Sequence, residues 1–165
     1  MKKTLFIAVA LMMAVPTFAQ QKFGHIDSAA LLELMPEKKK AEAELEAYAK
    51  EFQTALETMA KEYETKVGAF QQGEKSMIST VRDSKVQEIA DLEKRIQAFQ
   101  KQAQDDIAKK EQDVLTPIID KARKAIDEVA VEKKYTYVFD NSAGVLLYAK
   151  DTEDILPEVK AKLGL

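Results

Sequence analysis

Between Pro36 and about Glu132 the apolar positions recur in sevens. Leu45, Phe52 and Met59 form one set, and Ala49, Leu56, Tyr63 and Phe70 form a second set offset by four residues. This 4-3 alternation is the seam of a coiled coil, narrower than the stripe of an ordinary globular helix. The residues around it are rich in Ala, Glu, Lys and Gln, all strong helix formers. Pro36 followed by Glu37 marks the start, because proline suits a first helical turn and an acidic group suits the helix dipole there. Gly68 and Gly73 lie close together, and a glycine costs about 1 kcal/mol inside a helix relative to alanine. The sequence therefore predicts a first helix of about 34 residues, roughly 50 Å long, and a turn over Gly68 to about Lys75.

A second helix follows from near Ser76. Ile89, Leu92, Ile96, Phe99 and Ala103 continue the seam, and the phase then slips by one residue to Ile107, Val114 and Ile118, a stutter that unwinds a supercoil locally. Pro117 predicts a kink, since it removes a backbone hydrogen bond to the preceding turn. Beyond it Ile118, Ala122, Ala125, Ile126 and Val129 make a broader apolar face, suited to packing on a body. Two such helices joined at one end are an antiparallel hairpin, and a hairpin this narrow needs an anchor.

The chain ends supply one. Lys22 to Asp27 (KFGHID) alternates apolar and polar residues with the period of a half-buried strand, and Ser28 is placed to cap a short helix, Ala29 to Met35. Tyr135 to Asp140 (YTYVFD) is β-branched and aromatic, Asn141 to Gly144 has turn chemistry, and Val145 to Lys150 (VLLYAK) reads as a partner strand in a β-hairpin. Asp151 to Asp154 then opens a terminal amphipathic helix carrying Ile155, Leu156, Val159 and Leu163, with Pro157 in its first turn. The fold class is α+β, mostly α: a long antiparallel coiled-coil hairpin, residues 37–132, on a small body built from residues 20–36 and 133–165.

The first residues stand apart from this plan. Lys2 and Lys3 precede an unbroken apolar run, Leu5 to Val15, which Pro16 ends ahead of Thr17-Phe18-Ala19. A run this short, with a basic start and small residues at its end, has the form of a signal peptide and not of a membrane span. Residues 1–19 are thus expected to be removed by cleavage after Ala19, and the mature chain to be exported without stable membrane insertion. The sequence holds no cysteine, so disulfides cannot brace the small body, and its stability must come from packing or from oligomerisation. Removing Lys2 and Lys3 from the 25 basic side chains leaves 23 against 28 acidic ones, a net charge of −5. That balance argues against a general nucleic-acid binder.

No catalytic chemistry is legible. Without cysteine and with His25 the single histidine, thiol catalysis and histidine-rich metal sites are excluded. The carboxylates sit on helix faces that heptads leave in water, and no glycine-rich phosphate loop is present. The chain is expected to be no enzyme and to take no catalytic residue, metal or cofactor.

The whole layout, from KFGHIDS and LMPE through the heptad hairpin to TPIIDKARKAIDEVAVEKKYTYVFD, NSAG, VLLYAK and DTEDILPEVKAKL, resembles the Skp/OmpH family of periplasmic chaperones. The heptads are common to any coiled coil; the two ends carry the specific likeness. The resemblance implies a homotrimer in the periplasm, with hairpin arms extending from a strand-built body to hold unfolded outer-membrane β-barrel proteins without ATP. The family's best-known members have strongly basic arms, whereas this chain is acidic, so binding of anionic lipid is not carried over.

On this reading Val67, Phe70, Met77 and Ile78, at or beside the tip, are client-contact candidates, because flexible apolar groups adapt to varied partners. Phe23, Ile26, Tyr137, Phe139, Leu146 and Tyr148 are candidates for the oligomer body. The alternative from a different class is a structural coiled-coil spacer or scaffold of the cell envelope.

Overall fold

The computed structural model describes residues 21–165, so the expected signal peptide and its cleavage site lie outside the described residues. The elements run β1 (Phe23–Ile26), α1 (Ser28–Leu34), α2 (Pro36–Gly73), a 3₁₀ turn (Glu74–Ser76), α3 (Ser79–Glu132), β2 (Tyr137–Asp140), a second 3₁₀ turn (Asp151–Glu153) and α4 (Leu156–Leu163).

Helices α2 and α3 form the hairpin. Every α2 seam residue named above is half-buried, as are Ile89, Ile96 and Phe99 of α3, while Leu92 and Ala103 are buried outright. Such partial cover follows from a two-helix arm, in which each helix has one neighbour and water on the other sides. Phe52 and Phe99 meet across the seam with ring centroids 5.8 Å apart. Ion pairs Glu37–Lys121, Glu44–Lys110 and Lys66–Glu88 join the helices from base to tip.

The arm departs from expectation at its turn. Gly68 does not break α2, which continues to Gly73 for 38 residues. A single glycine costs less than the hydrogen bonds and seam contacts kept by continuing the helix, and the reversal falls at Glu74–Ile78 instead. Helix α3 runs for 54 residues with Pro117 inside it.

The body is tied together by residues from opposite ends of the chain. β1 pairs with β2 in parallel, Phe23 opposite Tyr137 through Ile26 opposite Asp140. A parallel pair needs a crossover, and here the entire arm is that crossover. On its other edge β1 bridges Asp154 through His25, and the Ile155 amide donates to the His25 carbonyl at 2.9 Å. The expected hairpin is therefore corrected: Val145 to Lys150, including Leu146 and Tyr148, is not a strand, and β2 pairs with β1 alone. The segment has strand composition but no strand beside it in the single chain, and β-propensity expresses packing against neighbours more than backbone preference.

Alternation along the pair puts Gly24, Ile26, Val138 and Asp140 on one face. Ile26 on that face packs with Leu31, Met35, Ile118, Ala125, Val129, Ile155 and Val159 as the core. Each fully buried aliphatic side chain contributes about 1.5–3 kcal/mol, so this cluster anchors the arm. Ile26 is thus a residue of the chain's own core, 2 % exposed, and not available to a neighbouring copy. The cap of α1 also differs from expectation. Asp27 accepts from the Ala30 amide at 2.8 Å, whereas the Ser28 hydroxyl donates to Asp140 at 2.5 Å.

Candidate functional site

Three surfaces remain open: the tip, the outer sheet face and the flanks of the arm. At the tip, Met77 folds back until its Cε lies 2.8 Å from where a Gly73 Cβ would be. A side chain at Gly73 would displace only the flexible end of Met77. Met77, with Ala69, Phe70 and Ile89, lines a small cavity of about 100 Å³ closed by Lys66, Lys85 and Glu88. Val67, Phe70 and Met77 are half-buried, while Ile78 is 70 % exposed. The four client-contact candidates therefore divide, with three packed into the tip and Ile78 bare. Val81, not anticipated from the sequence, is exposed three residues further on. Hydrogen bonds from Lys66 and then Lys85 hold the Glu88 carboxyl down at about 2, so the tip cavity is walled by a fixed negative charge between two positive ones.

The outer sheet face carries Phe23, His25, Tyr137 and Phe139. Phe23 stacks on Tyr137 at 6.0 Å and on Phe139 at 6.2 Å, and all three rings are exposed. His25 Nε2 lies 3.1 Å from the Lys150 carbonyl, which only accepts, so the ring donates there and holds the end of the 141–150 loop to β1. Ahead of that tether Leu147 is 97 % and Tyr148 79 % exposed, while Leu146 is half-buried. Of the oligomer-body candidates, then, Phe23, Tyr137 and Phe139 form one aromatic cluster and Tyr148 stands in the exposed loop. Asp140 secures the loop's start: burial pushes its carboxyl up, and hydrogen bonds from Ser28 and Ser142 outweigh this and hold it below the usual range.

The flanks were not singled out from the sequence. On one of them Gln53, Gln100 and Gln104 border a cleft between α2 and α3. The signal lay in the heptads themselves, where positions beside a seam usually carry Glu and Lys.

Among the described residues no helix is long and apolar enough to cross a membrane, and no three His, Cys, Asp or Glu side chains are grouped to hold a metal ion.

The structure is thus a long two-helix arm on a small core, with apolar groups left open at several places. The sequence matches the family described as Outer membrane protein (OmpH-like) over residues 22–163, and the chain belongs to that family. Among solved structures, the fold is similar to that of a candidate outer membrane chaperone (OmpH-like) from Caulobacter crescentus CB15. The TM-score is 0.75 at 15 % identity, covering 87 % of this chain and 83 % of the other. The search of curated proteins finds no match. Membership supports a chaperone role.

Proposed function

We propose that the mature chain is an ATP-independent holdase of the periplasm, which binds unfolded outer-membrane β-barrel proteins and prevents their aggregation in transit. The observation that carries this reading is the arm: α2 and α3 cover only one side of each other and leave a partly exposed apolar seam tens of ångströms long. A barrel precursor in water exposes apolar strands that pair with one another. Weak contacts spread along such an arm shield those strands, and release needs no nucleotide when folding into the membrane is more favourable than holding. The acidic balance of the mature chain makes apolar contact the main attraction, so holding should depend only weakly on salt.

The same reading includes a homotrimer. Two strands and two short helices bury a thin core, and the body leaves both the aromatic cluster of Phe23, Tyr137 and Phe139 and the bare Leu147 and Tyr148 in water. A second and third copy would cover them, and the 145–150 segment would meet the unpaired edge of β2. Several arms then surround one client.

The test dilutes a urea-unfolded outer-membrane barrel protein into buffer with and without the chain from Gln20 to Leu165, and follows light scattering. Suppression near one oligomer per client, unchanged by nucleotide, is the expected result. No suppression by a several-fold excess of folded protein would leave the envelope spacer as the better reading.

A further inference from the structure

The two flanks of the arm differ in chemistry. On one flank a cleft of about 450 Å³ opens between the helices, with Ala49, Leu56 and Ala103 in its lining beside Gln53, Gln100 and Gln104, and no charged side chain in its wall. A second cleft of about 390 Å³ lies nearer the tip, lined by Ala60, Tyr63, Ile96 and Gln97, with Glu64 and Glu93. Gln53 and Ala60 are seven residues apart, as are Glu93 and Gln100, and Gln97 and Gln104. Residues one heptad apart share a face of the supercoil, so the two clefts form one groove. From Ala49 to Glu64 it runs about 22 Å at 1.5 Å per residue. The opposite flank is crossed by the Glu44–Lys110 and Lys66–Glu88 ion pairs, and the heptad frame adds Glu51, Glu62, Asp91 and Asp105 to it.

We infer that the groove seats one extended client segment of six or seven residues in which apolar and uncharged polar side chains alternate. This deepens the holdase reading and rests on it. A strand rises about 3.3 Å per residue, so the groove length matches such a segment. Alternate side chains enter the clefts that Ala49, Ala60 and Ala103 leave unfilled. The segment's backbone, which has no sheet to join, finds both donors and acceptors in the glutamine amides. An acidic side chain seated there would lose water without gaining a cationic partner, and Glu64 and Glu93 repel it. Selection is therefore against acidic groups, on the one flank that ion pairs do not cross.

The experiment measures binding of two labelled, end-capped octapeptides to the chain from Gln20 to Leu165: alternating valine and threonine, and alternating valine and glutamate. The neutral peptide should bind about tenfold tighter or more, the equivalent of about 1.4 kcal/mol, with little change in high salt. Gln100→Glu combined with Ala60→Glu, both at exposed positions, should weaken binding of the neutral peptide about tenfold or more, whereas Ala98→Glu on the opposite flank should leave it unchanged. Circular dichroism confirms that each variant is folded. Equal affinity for the two peptides overturns the inference, as does equal loss in both variants. So does a fall in oligomer mass on groove substitution, which would assign the groove to a second copy. If the doubly substituted chain loses the peptide yet still suppresses aggregation fully, the groove is not where clients sit and the holdase reading stands. If the unaltered chain binds the neutral peptide but suppresses nothing, that reading fails and the groove's chemistry remains.

Discussion

A Cβ built on Gly24 would sit 2.9 Å from the Tyr135 ring and 3.2 Å from Ile155. Neither neighbour can easily give way. Tyr135 stacks under the Lys22 ammonium at 4.1 Å, and Ile155 is fully buried and hydrogen-bonded to β1. Gly24→Ala is therefore expected to destabilise the body by about 1–3 kcal/mol through overpacking, read as a lower midpoint in thermal or urea unfolding. Part of the residue scale is legible in the sequence. Ile118, Ala122, Ala125 and Val129 could be placed in the core from spacing alone, because a helix repeats its face regularly. The roles of Asp27 and Ser28 could not, since which of two adjacent polar residues caps α1 depends on Asp140, more than a hundred residues away. Gly24 gave no signal either: what forbids its side chain is a ring from beyond the end of α3.

At the scale of the element, the arm was the most readable part because its seam is a local pattern. Leu56, Leu92, Phe99 and Ala103 fall where the heptad puts them. The turn was placed too early, at Gly68, because a propensity cost of about 1 kcal/mol was set against no tertiary contacts. The strand expected at Val145 to Lys150 failed for the converse reason, since strand composition cannot supply the missing neighbour. The tip carries its own prediction. Glu88 is held at about 2 by Lys66 and Lys85, below its ordinary value of 4.5. A depressed carboxyl stabilises the folded arm fully above the unfolded value and loses that contribution as pH falls towards 2. The protection of tip amides against hydrogen exchange, taken relative to their intrinsic rate at each pH, should thus fall between about pH 4.5 and 2, and Glu88→Gln should remove that fall while leaving protection at the base of the arm unchanged. Tip protection that stays constant over that range would show that the ion triad does not hold α2 to α3.

For the whole molecule, the parallel joining of β1 to β2 was not legible, because pairing across an intervening arm leaves no mark on either strand. Its result is an aromatic face that one chain cannot cover. Tyr137→Asp places a charge beside Phe23 and Phe139, whose rings lie 6.0 and 6.4 Å from that of Tyr137. If the face joins copies, this change should reduce the oligomer to monomers in multi-angle light scattering, with the helical signal of the arm retained. A mass equal to that of the unaltered protein would move the interface elsewhere.

The contacts that build the molecule are graded by distance along the chain. Lys66 meets Glu88 across 22 residues, Lys110 meets Glu44 across 66, Lys121 meets Glu37 across 84, and Lys150 meets His25 across 125. Closing a short loop loses less chain entropy than closing a long one, and a contact already made shortens the next loop to be closed. Loop closure therefore favours assembly of the arm from tip to base, like a zip, with β1, the first strand of the described residues, expected to find its place last. Until then Phe23, Tyr137 and Phe139 have no sheet on which to lie, so if copies join through that face, a finished arm comes first.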